Sequence, residues 1–498
     1  MSHTQGLKCT QCGKEFTYQF PMNICPECGS VLFIHYDIED VKNHLTARKL
    51  RNRRPGVWKY SELLPDIDAS KRVSLGEGGT YLHKCDRLAA EIGLEELYLK
   101  DETTNPTGSF LDRGMSLEIS AARQWDIKSV HNRGLDAGNM SASLVAYAAR
   151  GGLGCKTFIV KMGDIHLGKL HQILAHASEI EIVGSKDEAL RRSEEESRWS
   201  HCVRCTNPHF LEGKKTTVLE IYEQLNWDRP DWIVAPMGTG GNVSAIWKGI
   251  RELESVGLID TTRPHIVGAQ AACCAPIVNA YEEISGKVNP SGAKTTVALP
   301  IAISNPLCEK TALEVILQSN GLGMRVTDKE ILNAVMLLSR LEGVYAEPAS
   351  ATTIAVLQKL VKSGRIQRDE RVVCIITGTG LKYPEFAKTL VERNDELEQL
   401  LTEMERRKVT TQLGQTKIQI LRILAEGETY GYEIWKKLGE VAGISVKVPG
   451  VYQHLSDLVN NGLVIKTKTI QVLKRMRTYY GISEKGRYTV TQLDKLDR

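Results

Sequence analysis

The sequence predicts an α/β body built on parallel strands, with a small cysteine-rich module in front and a basic helical tail behind. Three observations predict it. Apolar strand-like runs are followed by helical patterns through the body, as in WIVAP between Asp231 and Met237 and RVVCII between Glu370 and Thr377. Strands alternating with helices indicate a parallel sheet covered on both faces. Two Cys-x2-Cys pairs lie close together near the start, and charge is concentrated at the other end, with 17 Lys/Arg against 9 Asp/Glu between Glu405 and Arg498, or +8 against −4 for the remainder. A basic tail on a mildly acidic body suggests a polyanion-binding module, with a solvated basic surface as the alternative.

Composition narrows the classes. The 498 residues are 25% charged and 42% hydrophobic, which excludes a mainly disordered or collagen-like chain. At about 150 residues per domain the length suggests about three domains. No apolar run reaches the roughly 18 residues a membrane span needs, and the opening MSHTQGLKCTQC lacks a signal-peptide core. The expectation is a cytoplasmic protein without membrane contact, in which the 12 cysteines are metal ligands or free thiols rather than disulfides.

The first element, residues 1–35, reads as a zinc ribbon. Cys9 and Cys12 are followed by twelve residues and then by Cys25 and Cys28. Two such pairs place four thiolates tetrahedrally around one Zn²⁺, and a site filled by four protein ligands is structural. Gly13 and Gly29 follow the pairs, where backbone amides turn toward sulfur. Cys202 and Cys205 have no second pair nearby, only His201 and His209, and read as free thiols.

Residues 36–385 form the body. Between Ser74 and Pro384 the segments SLGEGGTYL, LKDETTNPTGSFLDRGM, GNMSASLVAYAARGG, LGKLHQILAHASEIEIVG, PMGTGGNVSAIWKG, EPASATTIAVL and TGTGLKYP follow in order. From about Leu7 to Pro384 the chain resembles the threonine synthases that carry an N-terminal zinc ribbon. The resemblance implies the fold-type II pyridoxal-phosphate (PLP) architecture, related to the tryptophan synthase β subunit, with two subdomains. The run Gly238-Thr239-Gly240-Gly241-Asn242 lies between an apolar strand and a helix, where small residues let amides approach a phosphate, and it matches the family's PLP-phosphate loop. Asn139 matches the asparagine at the ring hydroxyl, and Thr377 the hydroxyl facing the pyridine nitrogen. The alternative is that these residues only preserve loop geometry.

The family's reactive lysine is missing. Its motif N-P-T-G-S-F-K-D-R-G is here Asn105 to Phe110, then Leu111, then Asp112-Arg113-Gly114. Leucine has no amine and forms no imine. The family's Ser-Thr-Gly-Asn loop is here Asp136-Ala137-Gly138-Asn139, so two hydroxyls are lost and a carboxylate is gained. Its phosphate-clamping arginine is Phe210, which offers neither charge nor fork; Arg204 is the candidate to compensate. These three departures serve one substrate, O-phosphohomoserine. They imply a pseudoenzyme in which PLP, where it binds, is noncovalent, unless Lys310 or Lys382 replaces the missing lysine.

Residues 386–408 read as a charged linker helix with apolar Leu390, Leu397, Leu401 and Met404. Residues 409–498 change pattern. TKIQILRILAEGETYGYEIWKKLGEV reads as two helices joined at Glu426–Tyr430, and VPGVYQHLSDLVNNGLV as a third, with Val451, Leu455 and Leu458 on one face and Gly462 as its stop. A two-stranded wing follows, with a final turn at Glu484–Arg487. The signals Tyr430-Gly431-Tyr432-Glu433-Ile434, Pro449-Gly450-Val451-Tyr452, Asn461-Gly462-Leu463 and Tyr480–Gly486 resemble the PadR-type winged-helix regulators. The resemblance implies DNA binding as a homodimer. By position Tyr452, Gln453 and His454 face bases or phosphates, and Lys466, Lys468, Lys474, Arg475 and Arg477 lie on the wing, where they neutralise phosphates. Alternatives are a core role for Tyr452, a surface role for His454 and solvated wing lysines.

The functional expectation is a transcription regulator responding to PLP, an amino acid or a threonine-pathway metabolite. The rivals are a PLP-dependent threonine synthase or lyase with an altered substrate, and a non-catalytic scaffold partner of a PLP enzyme.

Overall fold

The computed structural model describes residues 3–133, 138–160, 167–176, 179–283, 296–383, 413–440, 442–472 and 475–496. The chain divides into two compact units, Met1–Glu385 and Phe386–Arg498. The segment 386–408, Asp136 and Lys474 lie outside the described residues, and of Arg475 only the backbone is described.

The first unit begins with a small antiparallel sheet of β1 (Thr4–Cys9), β2 (Glu15–Phe16) and β3 (Leu32–Tyr36), in the order β2-β1-β3. It does not fold around a core of its own. Leu7, Cys9, Cys25, Leu32, Ile34 and Tyr36 join one apolar cluster with Val218, Ile221, Ile246 and Ile250 of the body. The Tyr36 hydroxyl donates to Glu212 at 2.7 Å.

Two sheets organise the body. The larger contains β4 (Leu82–Lys84), β5 (Glu96–Asp101), β10 (Trp232–Pro236), β11 (His265–Ala271), β12 (Leu322–Val326) and β13 (Arg371–Ile376), in the order β12-β11-β10-β13-β5-β4. All pairs are parallel except β4 with β5. The smaller is all parallel, in the order β8-β7-β6-β9, with β6 (Ser129–Asn132), β7 (Gly154–Val160), β8 (Glu179–Val183) and β9 (His201–Val203). β10 is buried along its whole length and β13 after its first residue, as expected of parallel strands covered on both faces.

Two helices of the body cross closely. α1 (Leu111–Gln124) and α3 (Pro208–Gln224) meet where Gly213 lies against the Arg113 carbonyl and Gly114 lies under the Phe210 ring, leaving no room for a Cβ on either glycine. α2 (Asn139–Gly151) follows β6, α4 (Gly241–Ser255) follows β10 and α5 (Pro348–Lys362) precedes β13. Arg113, fully buried at the crossing, donates to Glu102 at 2.6 and 2.8 Å and to Glu220 at 2.8 and 2.7 Å. Lys100 adds a 2.8 Å bond to Glu220. Burial opposes charge on Glu220, but Arg113 and Lys100 prevail and hold the carboxyl well below its usual range.

The second unit packs α6 (Gln415–Glu426), α7 (Gly431–Glu440), α8 (Val448–Asn460) and α9 (Glu484–Leu496) on a sheet of β14 (Thr429–Tyr430), β15 (Val464–Val472) and β16 (Arg475–Ile482), ordered β14-β16-β15. Its core is apolar, with Ile420, Leu424, Ile434, Val451, Leu455, Leu458, Ile482 and Val490. One expectation is corrected here. Glu484–Arg487 is not a turn but the start of α9. The Ser483 hydroxyl accepts from the Gly486 amide at 3.0 Å, which is N-capping geometry, and Val490 and Leu493 bury the helix against the core. No helix among the described residues is long and apolar enough to cross a membrane.

Candidate functional site

The residues singled out in the body gather at the C-terminal ends of parallel strands, where open α/β sheets bind ligands. Gly238–Asn242 follows β10, Thr377 follows β13, the loop to Leu111 follows β5, and Asn139 opens α2 behind β6. β13 lies between β10 and β5, so the first three are neighbours. The Phe110 amide donates to the Thr377 carbonyl at 2.9 Å, and Ser109 bridges to Gly378.

The glycine loop can receive an anion. Gly240 sits at φ +85°, and a Cβ there would lie 2.8 Å from both the Ala312 Cβ and the Cys308 carbonyl oxygen, so only glycine fits. The residue at the N-cap of α4, Gly240, has no side chain to cap it, the Thr239 hydroxyl accepts from the Gly241 amide at a long 3.4 Å, and no acidic residue lies in the first turn. Its amides and dipole favour negative charge. Asn242 is buried, and neither atom of its side-chain amide has a hydrogen-bond partner among the described residues. Buried orphan amides are costly, and a ligand's oxygens would satisfy this one. The Cys205 thiol approaches the Thr239 hydroxyl at 3.9 Å.

The other side of the site is polar and closely knit. Asn139 Nδ2 donates to both oxygens of Glu347, at 3.2 and 2.9 Å. Asn139 Oδ1 accepts from Lys382 Nζ at 3.1 Å. Lys169 Nζ lies 3.8 Å from Glu347 and donates to the Tyr383 hydroxyl at 2.5 Å. The Thr377 and Ser350 hydroxyls share a 2.9 Å hydrogen bond. Sequence reasoning missed Glu347, although Pro348 behind it marks a helix start and so makes that carboxylate an N-cap residue. It left Lys382 conditional, and Lys382 arrives beside Asn139. Lys310, its companion candidate, is exposed on the helix Glu309–Gln318.

Leu111 begins α1 and is buried with Met115, Met140 and Phe210 in one apolar cluster. The two positions where the resemblance places a lysine and an arginine thus contribute to the same apolar packing. Lys214, one helical turn after Phe210, holds its ammonium 5.0 Å from the Phe210 ring centre and 5.4 Å from that of Phe110. Arg204 acts on the buried Cys202 thiol. Burial would raise that thiol, but His131 and Arg204 bring it down to about 7. His201 and His209 do not join the cysteines: His201 Nε2 bonds Glu118 at 2.7 Å and His209 Nε2 bonds the Tyr18 hydroxyl at 2.6 Å.

At the front, the sulfurs of Cys9, Cys12, Cys25 and Cys28 lie within 4.8 Å of one another, with Cys9–Cys28 at 3.4 Å and Cys12–Cys25 at 3.7 Å. Tetrahedral Zn–S bonds place sulfurs about 3.8 Å apart, so the donor set and its spacing fit zinc.

In the second unit, α8 buries Val451, Leu455 and Leu458 and exposes Tyr452 and Gln453, with His454 half-buried. The Tyr452 ring lies against Gly431 and is 44% exposed, so it is not a core residue. Lys466, Lys468 and Arg477 are exposed on the β15–β16 hairpin. Lys468 is paired with Glu428, and the Arg477 guanidinium stacks 4.7 Å from the centre of Tyr430; the sequence did not reveal these two partners.

A family model for pyridoxal-phosphate dependent enzymes matches residues 73–378, and one for PadR-like transcriptional regulators matches residues 420–492. The threonine synthase of Methanocaldococcus jannaschii is 44% identical over 383 residues, 76% of this chain and 93% of that one. That of Methanosarcina acetivorans is 41% identical over 382 residues, 76% and 92% of the two chains. Maize serine racemase has the same fold at 17% identity and a TM-score of 0.54, over 64% of this chain and 93% of its own. So does threonine deaminase isoform 2 of Solanum lycopersicum, at 17% identity and 0.54, over 69% and 96%. With its strand-end site and this likeness, the chain belongs to the pyridoxal-phosphate dependent enzyme family, with threonine synthases among its relatives, and carries a PadR-like transcription regulator domain behind that body.

Proposed function

We propose that the chain is a ligand-responsive transcription regulator. Its threonine synthase-like body binds PLP, an amino acid or a threonine-pathway metabolite without catalysing threonine synthesis, and its tail, residues 409–498, is a winged helix that binds DNA. The observation that carries this reading is that Leu111 and Phe210 belong to one buried apolar cluster, in the same chain as a PadR-like domain. Two polar functions of the relatives' chemistry are replaced by one apolar contact region, while the anion-binding loop keeps its form.

PLP bound there would supply an aldehyde and an electron-withdrawing ring. The amides of Gly238–Asn242 would hold its phosphate, Asn139 its hydroxyl and Thr377 its ring nitrogen. Residues 1–35 form a zinc ribbon whose metal, held by Cys9, Cys12, Cys25 and Cys28, is structural. Two copies pair, α8 of each enters a major groove through Tyr452, Gln453 and His454, and the hairpin cations neutralise phosphates. Ligand and DNA are coupled through the segment 386–408. Stoichiometric zinc in the purified chain, lost with stability on chelation, is the expected metal result; a metal-free, equally stable chain refutes the ribbon.

The test of function is a DNA-binding titration of the full chain at several salt concentrations, with and without PLP and amino acids. Salt-dependent binding that a ligand shifts supports the regulator. Absence of DNA binding, with turnover of O-phosphohomoserine, replaces it by the second reading, a PLP-dependent lyase. That reading is favoured by the 44% identity to a threonine synthase and by the lysine beside Asn139.

A further inference from the structure

The amine missing at position 111 has a counterpart in the same site. Lys382 belongs to the turn Gly380–Lys382 that follows β13. It is buried, and its Nζ donates to Asn139 Oδ1 at 3.1 Å. A Cβ on Gly108 would lie 3.3 Å from Lys382 Cε, so the side chain passes along the loop that leads to Leu111. An amine therefore enters the site from the β13 end rather than from the start of α1.

Its surroundings differ from those of Lys100, Lys215 and Lys248, while Lys169 and Lys214, also buried, donate like it to neutral oxygens, those of Tyr383 and Cys205. Lys100 donates to Glu220, Lys215 to Glu212 and Lys248 to Glu252, all carboxylates. Lys382 donates to a neutral amide, while Glu347 receives the other end of that amide. Burial pushes the Lys382 ammonium down to about 8. Asp112 and Glu347 oppose the shift, and Lys169 adds to it. An ammonium in this setting releases its proton readily, and the neutral amine is a nucleophile toward carbonyl carbon.

We propose that Lys382, in place of residue 111, is the amine that captures the aldehyde of pyridoxal phosphate and holds it by a reversible covalent bond. The inference rests on the cofactor-binding reading above. On PLP the hydroxyl and formyl groups occupy neighbouring ring carbons. Were Asn139 to hold the hydroxyl, the Lys382 amine bonded to that amide would be the one near the formyl carbon. Lys382 first releases its extra proton to solvent. The nitrogen lone pair then adds to the formyl carbon. The nitrogen gives up its two remaining hydrogens, the formyl oxygen leaves with them as one water, and a carbon–nitrogen double bond remains. Nothing is oxidised or reduced. The attachment point is a turn at a strand end, so the ligand is held while the start of α1 stays without a lysine to move protons.

The experiment incubates the full chain with PLP, reduces it with borohydride, and locates the pyridoxyl group by peptide mass. Saturable PLP retention is measured in parallel by equilibrium dialysis, and folding by circular dichroism. The expected result is a reduced adduct on Lys382, with the imine absorbance lost in Lys382→Arg and Lys382→Met while dialysis still detects phosphate-dependent retention. An adduct on Lys169, Lys214 or surface lysines, or no adduct despite saturable retention, overturns the role of Lys382 and leaves the pocket reading intact. No retention by the wild-type chain overturns both. Should Lys382→Met unfold, Lys382→Arg and the wild-type adduct map still decide.

Discussion

In the body, Arg113 is fully enclosed with Glu102 and Glu220, and Lys215 and Lys248 share Glu212 and Glu252 in a second buried group. In the tail, no charged side chain among the described residues is buried, and its ion pairs, such as Lys417–Asp457 and Arg422–Asp494, lie at the surface. The two units place charge for different ends. Buried pairs cost desolvation and return fixed geometry only where every partner is present. In the body that geometry holds the loop after β5 to α1 and α3, around the site. Exposed cations cost little, remain mobile and stay available to a polyanion.

The largest expected effect breaks the body's network. Arg113→Ala leaves Glu102 and Glu220 buried without their cation and should cost about 3–5 kcal/mol. A denaturation series followed by circular dichroism should show the body's transition shifted and the tail's unmoved. A loss below about 1 kcal/mol would remove the contrast, because that is the scale of a surface pair. Next is Leu455→Ala, which opens a cavity in the apolar core of the tail and should cost about 2–5 kcal/mol. Here the transition that moves is the tail's, and DNA affinity falls with it.

A smaller effect is set by pH. Burial pushes His209 down to about 4, against the opposing influence of Glu118 and Glu212. Between pH 4 and the unfolded value of about 6.5 the unfolded chain binds the extra proton, so stability rises with pH through that window and is lost as pH falls through it. The swing is up to about 3 kcal/mol, and His209→Gln should flatten it. The tail has no buried histidine of this kind, so its transition should not follow the same curve. The smallest effect on stability belongs to the hairpin. Lys466→Ala should change stability by less than about 0.5 kcal/mol, yet reduce the salt slope of DNA binding by about 1. Lys468→Ala should reduce it less, because Glu428 already pairs with that cation. Equal slopes for the two variants would show that the Lys468–Glu428 pair opens on DNA.

Much of this architecture is local and legible. The runs before Met237 and Thr377 are strands because continuous apolar residues suit a sheet covered on both faces. Gly238–Asn242 reads as a candidate anion loop because small residues between strand and helix let amides approach a phosphate and because the run matches the resembled family's loop. The four front cysteines read as one cluster from spacing. The turn expected at Glu484–Arg487 is instead the first turn of α9. Thr489, Val490 and Thr491 are β-branched and poor helix formers, but a Ser483 cap and burial of Val490 and Leu493 outweigh that preference. The partners of the site residues lie too far along the chain to read. Asn139 meets Glu347 across 208 positions and Lys382 across 243.

Residue order alone determined that the chain has a parallel α/β body with a glycine loop, a cysteine-rich front and a basic tail. These follow from periodicity, spacing and residue chemistry, which act over a few residues. Tertiary structure decided the rest. It joined the cysteine module to the body's core instead of leaving it separate, placed Leu111 and Phe210 in one apolar cluster, and carried a buried amine from the far end of the body to the Asn139 amide. The physical reason is that burial and hydrogen-bond completion act between surfaces, and only the closed fold says which surfaces meet.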